Sequence, residues 1–184
     1  DVSRSSADQI TQLGVSRTFQ NIRIFNRMSV LENVIAALIG HDKPGLFSLL
    51  GSVREVDGAG VAAARRALET VGLLDQSNLS ASELPLPLRR RLEIARALAC
   101  DPKVLVLDEP SGGMTPAETA RVSELIRSRI APGRTCVVIE HKMDLISHVC
   151  EHLCVLNHGE KIAEGDPRSV MSQPEVIEAY LGRP

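Results

Sequence analysis

The sequence of 184 residues predicts an α/β fold, a mainly parallel sheet flanked by helices and interrupted by a helical insertion. Three observations carry this. Val104-Leu105-Val106-Leu107 is an unbroken aliphatic run with two β-branched residues, the pattern of a strand buried on both faces. Beyond it, strand-like runs alternate with helix-capping patterns, the order that builds parallel sheets through short crossovers. Before it, residues 29–99 read as a mostly helical block. In such sheets ligands collect at the carboxyl ends of the strands, and Asp108-Glu109-Pro110 stands at one of them. Adjacent side chains point different ways, so one carboxylate can hold a hard cation while the other orients or deprotonates a water.

Taken in order, residues 1–16 are polar, with a short helix over 8–13 ended by Gly14. A strand follows over 15–19, and Gln20 falls just beyond it. Ser29 and Glu32 have capping-box spacing ahead of the apolar stripe Val30, Val34, Ala37 and Leu38, which runs to Gly40. Residues 41–60 have no clear period and read as loop. Residues 61–71 are helical and closed by Gly72, and 86–99 form another helix entered through Pro85 and Pro87. After the aliphatic run, Thr115, Pro116 and Glu118 start a helix that ends near Ile130. Pro132-Gly133 turns the chain into a second buried strand at 136–139, followed by a helix over 143–149. A third strand over 153–156 meets a hairpin turn at His158-Gly159. Two short helices starting at Asp166-Pro167 and Gln173-Pro174 finish the chain.

An apolar share of 43% and a charged share of 24% are those of an ordinary globular protein. The net charge of −2 argues against a surface built for nucleic-acid phosphates, and no run approaches the length of a membrane span. The arginines at 89–91 and Arg96 lack an aromatic stacking platform, so they read as a solvated helix face or a partner contact, with no nucleic-acid role. Four cysteines do not make a disulfide framework, and a reducing compartment is the default. His148, Cys150, His152 and Cys154 alternate across a helix end and a strand, so they need not converge on a metal and read as structural.

Gln20, Asp108-Glu109 and His141 thus occupy three strand ends of one α/β layer. With these residues the sequence resembles the ATP-binding subunits of ABC transporters over essentially its whole length. Gln20 matches the Q-loop, 104–108 with Glu109 the Walker B run, and His141 in Val138-Ile139-Glu140-His141 the switch histidine. It is most similar to the ATPases of branched-chain amino acid importers. Arg17-Thr18-Phe19-Gln20-Asn21-Ile22-Arg23-Ile24-Phe25 and the ending Pro174-Glu175-Val176-Ile177-Glu178-Ala179-Tyr180-Leu181-Gly182 carry that likeness.

The resemblance implies that Asp108 holds Mg²⁺ with ATP and that Glu109 polarises the attacking water. It implies that His141 contacts the γ-phosphate and that Gln20 senses metal and water. Implied partners are the transporter's membrane subunits, docked on the helical block, and a second ABC ATPase subunit. The implied location is cytoplasmic, on the inner face of the cell membrane. The family layout divides the chain into 1–28 and 100–165 as the ATPase core, 29–99 as the helical subdomain and 166–184 as C-terminal helices.

Two departures bear on activity. The Gly-x-x-x-x-Gly-Lys-Ser/Thr cradle for phosphates is not among these residues, since none of Lys43, Lys103, Lys142 or Lys161 follows a glycine. By the family pattern Asp1 begins past that loop, as in an N-terminally truncated member. The family's signature loop falls on Leu84, Pro85, Leu86, Pro87 and Leu88. Two prolines there have no N–H to offer a phosphate, and Leu86 and Pro87 crowd an approach that glycine leaves open. The expectation is a chain that does not hydrolyse ATP alone. The alternative is a non-hydrolysing docking subunit, or a decayed remnant, that binds a membrane partner.

Overall fold

The computed structural model describes residues 2–42 and 58–181, which form two compact units, Asp1–Ile139 and Glu140–Pro184. In the first unit, helix α1 (Ala7–Gln12) is capped by Ser6 and Gln9 in a reciprocal box and leads through Gly14 into β1 (Val15–Arg17). Three helices follow, α2 (Val30–Asp42), α3 (Gly58–Thr70) and α4 (Leu86–Ala99), packed pairwise on one another. The expected loop over 41–60 is shortened at both ends by α2 and α3, and its middle lies outside the described residues. Strand β2 (Val104–Asp108) comes next. Helix α5 (Pro116–Leu125) loosens into a π-helical turn over Ile126–Ile130, and β3 (Thr135–Ile139) closes the unit.

The sheet order is β1-β2-β3, all parallel, with β2 in the centre. The three helices therefore sit in the crossover from β1 to β2, and α5 in the crossover from β2 to β3. The expected burial of the strands on both faces is corrected. Leu105 and Leu107 are fully buried, whereas Val137 and Ile139 are 46% and 47% exposed. Side chains alternate along a strand, so register puts Val137 beside Val106 and Ile139 beside Asp108 on the less covered face.

The second unit contains α6 (Met143–Val149), β4 (Leu153–Asn157), β5 (Glu160–Gly165), α7 (Pro167–Met171) and α8 (Pro174–Leu181). The third strand does not extend the parallel alternation: β4 pairs antiparallel with β5. The reason is the turn. His158 and Gly159 have φ of 49° and 85°, the left-handed pair of a two-residue hairpin, while a parallel partner needs a long crossover. Ala163, Val170 and Val176 form this unit's small core.

Helix α2 starts as the sequence requires, with Ser29 Oγ accepting from Glu32 N at 3.1 Å and Glu32 Oε2 accepting from Ser29 N at 2.8 Å. One turn in, fully buried Asn33 does something the apolar stripe does not announce. Its carbonyl accepts from Phe25 N at 2.8 Å, and its amide donates to Phe25 O and Ser29 O, both at 3.0 Å. It thereby fixes the segment between β1 and α2. Asn33→Ala is expected to cost about 1–3 kcal/mol, because it leaves buried backbone groups unpaired; urea unfolding of the two proteins measures the difference.

Candidate functional site

The end of β1 and the end of β2 meet where register brings them together. Thr18 N donates to Val106 O at 2.9 Å, continuing the ladder, and the buried Thr18 hydroxyl accepts from Asp108 N at 3.0 Å. Thr18 thus pins the last residue of β2 to the chain just ahead of Gln20. Register pairs Arg17 with Val106, which puts Arg17 on the sheet face that carries Asp108. Arg17 Nη2 reaches Asp108 Oδ2 at 2.7 Å, an ion pair between the end of β1 and the end of β2.

Glu109 leaves the sheet abruptly. Its φ is +45°, a left-handed conformation that costs a residue with a Cβ on the order of 1–2 kcal/mol. Two hydrogen bonds hold it there, from Glu109 N to Ile139 O at 2.9 Å and from Gly112 N to Glu109 O at 3.0 Å. The reversal turns the carboxylate back towards β1, where Gln20 Nε2 donates to Glu109 Oε1 at 3.2 Å. Two of the sequence-predicted site residues are therefore in direct contact, with Asp108 adjacent.

Helix α4 supplies the support. Arg90, Glu93 and Arg96 lie on one side of the helix, facing the irregular segment 19–25. Arg90 Nη1 donates to Phe19 O at 3.1 Å and Nη2 to Gln20 O at 2.7 Å. Glu93 Oε1 accepts from Arg23 N at 3.2 Å, and Arg96 donates to Arg23 O. Cation–π contacts add Arg23 over Phe19 at 4.6 Å and Arg96 over Phe25 at 5.2 Å. The reading of these arginines as a solvated face is corrected: Arg90 is 8% exposed, and its charge is spent on two loop carbonyls and on Glu93 at 3.5 Å. Arg89, too, is engaged, donating to Leu84 O and Ser82 O. Gly112 completes the fit, because a Cβ there would stand 3.0 Å from Arg90 Nη2 and 3.3 Å from Glu109 O.

Burial lifts the Glu93 carboxyl above its ordinary value, and the Arg23 N–H and the Arg90 charge pull part of the way back. Arg96 is lowered by burial, with Glu93 opposing.

The degenerate stretch ahead of α4 offers little to a phosphate. Leu84 is buried, Pro85 occupies the N-cap with no side-chain cap bond, and Leu86 is 41% exposed. Pro85, Pro87 and Leu88 line a shallow cleft with Arg91, Met114 and Arg121. Burial and the Arg121 charge lower Arg91. Thr115 and Glu118 form the expected capping box, from Thr115 N to Glu118 Oε2 at 2.8 Å.

His141 belongs to the second unit, and its own surroundings single out Glu140. That carboxylate side chain is fully buried and accepts from His141 N at 2.9 Å and Lys142 N at 3.3 Å, with His141 Nδ1 at 3.6 Å. The His141 side chain is 62% exposed. His152 bonds instead to Glu164, and Cys154 is exposed on the hairpin. Sequence reasoning missed Thr18, Arg90 and Glu140 as supports. Only the spacing of Arg90, Glu93 and Arg96 on one side of a helix signalled any of them.

A family model described as ABC transporter matches residues 1–112, and one described as branched-chain amino acid ATP-binding cassette transporter matches 160–184. The chain is 41% identical over 178 residues to the high-affinity branched-chain amino acid transport ATP-binding protein LivG of Escherichia coli K12, covering 95% of this chain and 70% of that protein. Its likeness to BraF of Pseudomonas aeruginosa, of the same description, is 38% over 179 residues, with the same coverage. Among solved structures, an ATP-binding cassette of an ABC transporter in its ADP conformation superposes with a TM-score of 0.86 at 31% identity, covering 100% of this chain and 74% of that one.

Two outcomes follow from the α4 grip. Arg90→Met breaks a buried charged network and is expected to cost about 3 kcal/mol, with faster amide hydrogen exchange across residues 19–23. For Glu93, a folded value raised above the ordinary 4.5 means stability that is complete below about pH 4.5 and lost as pH rises through the folded value. The stability of wild type minus that of Glu93→Gln should therefore fall as pH rises above about 4.5 in urea unfolding. A difference that does not change with pH overturns this.

Proposed function

The chain belongs to the ABC transporter ATP-binding family, and within it we propose an ATP-binding subunit of a branched-chain amino acid importer. The observation that carries the proposal is the Gln20–Glu109 hydrogen bond of 3.2 Å, set beside Asp108 on a chain with this likeness. Glu109, aimed by its left-handed backbone, orients and deprotonates the attacking water, and Gln20 holds that carboxylate in place. His141, on the family pattern alone, contacts the γ-phosphate, and buried Glu140 fixes the backbone that presents it.

The residues present suit Mg²⁺ that arrives with its phosphates. Such an ion asks one or two carboxylates of the protein, and Asp108 is one, its Oδ2 paired with Arg17 in the metal-free arrangement. Among the described residues no group of three or more His, Cys, Asp or Glu stands ready to hold a metal by itself. Asp108 and Gln20 would hold the ion, which neutralises phosphate charge when bound.

Leu84, Pro85, Leu86, Pro87 and Leu88 cannot reproduce the N–H donors of a signature loop, and the phosphate cradle is not among these residues. We therefore propose that the isolated chain does not turn over ATP. Helices α2–α4 dock on the importer's membrane subunits at the inner face of the cell membrane, and a second ATPase subunit completes the assembly. No helix among the described residues is long and apolar enough to cross a membrane.

The purified 184-residue chain is expected to release no phosphate from Mg-ATP above buffer, and to co-purify with the membrane subunits of a branched-chain amino acid importer. Phosphate release that disappears in Glu109→Gln would contradict the lack of turnover. Failure to co-purify would remove the importer reading.

A further inference from the structure

We propose that Arg17 is a built-in counter-cation for Asp108, competing with a divalent metal for that carboxylate and swinging into solvent when the metal binds. The inference rests on the reading of Asp108 as the metal-holding residue. The geometry is asymmetric. Asp108 cannot leave: its backbone N–H is pinned by Thr18, it ends the central strand, and its side chain is only 14% exposed. Arg17 can leave, because its side chain is 55% exposed and among the described residues it makes no other ion pair.

A mostly buried carboxylate without a partner pays a desolvation cost that a guanidinium 2.7 Å away offsets. A divalent ion would offset it too. The two cations cannot share the site, since a guanidinium at contact distance repels an ion of charge +2 on the same group. Arg17 therefore keeps Asp108 compensated and correctly placed while no metal is present, and it sets a threshold for metal entry. Gln20, three residues on, is bonded to Glu109 in the same arrangement, so the metal-free site is internally paired on both carboxylates.

The test uses Mn²⁺ alone as the probe, on the full 184-residue chain. Broadening of the Thr18, Asp108 and Glu109 amide signals is followed by NMR in wild type, Arg17→Met, Arg17→Met with Asp108→Asn, and Asp108→Asn. The Mn²⁺ concentration that halves these signals should drop about tenfold or more in Arg17→Met, and adding Asp108→Asn should raise it to the wild-type value or above. A second readout needs no metal: Asp108→Asn should lower the Tm when Arg17 is present and raise it in the Arg17→Met background. Equal Mn²⁺ response in wild type and Arg17→Met overturns the competition. If that equal response is lost on Asp108→Asn, the metal reading of Asp108 survives. If it is indifferent to Asp108→Asn, both readings fall. A Tm change of the same sign in both backgrounds also overturns the counter-cation role.

Discussion

Between β1 and α2 the backbone of residues 19–25 joins no ladder and no helix, so its polar groups must find partners elsewhere. They find them on α4 and on Asn33. Arg90 takes two carbonyls, Glu93 and Arg96 take the N–H and carbonyl of Arg23, and Asn33 takes both groups of Phe25. This is an expensive way to hold a loop, because three ionisable side chains give up water for it. What it achieves is a fixed Gln20 main chain, from which the Gln20 amide reaches Glu109. Removing any one support leaves another buried group unpaired, and the segment and the helix stand or fall together.

A second constraint meets the first at Glu109. A β-strand that ended without reversal would carry the acid outward; the left-handed residue folds it back over the strand end, and Pro110 and Gly112 shape the turn. Gly112 must stay small, because its neighbours on either side are Arg90 and the Glu109 carbonyl. The site is thus a tight association of α4, the segment after β1 and the turn after β2. Strain at Glu109 is stored where the proposed function places a reactive carboxylate, the usual location for such an outlier.

The arginines show how charge misleads when read without geometry. A run of cations on a helix after a degenerate loop reads as a solvated surface. Here Arg90 is buried, Arg89 caps the preceding turn, and Arg96 lies over Phe25 while bonding the Arg23 carbonyl. Arg17 makes the opposite point: exposed, yet paired with the carboxylate proposed to hold the metal. Burial and partner, not residue type, decide what each cation does.

By itself the sequence determined the α/β class, the capping boxes at Ser29 and Thr115, the helices 86–99 and 116–130, and the strand-end positions of Asp108 and Glu109; the strand expected over 15–19 stops at Arg17, which leaves Gln20 in the irregular segment beyond it. These are local matters, set by periodicity, by cap chemistry and by proline and glycine. The tertiary structure alone decided that Gln20 touches Glu109, that Arg17 compensates Asp108, and that β4 turns back on β5 instead of joining the parallel sheet. It also decided that Val137 and Ile139 lie on the open face of their strand. Each of these depends on which strands pair and in what register, or on a contact between residues some ninety positions apart. A one-dimensional pattern carries the period of a strand but not its neighbour, and the neighbour is what makes a site.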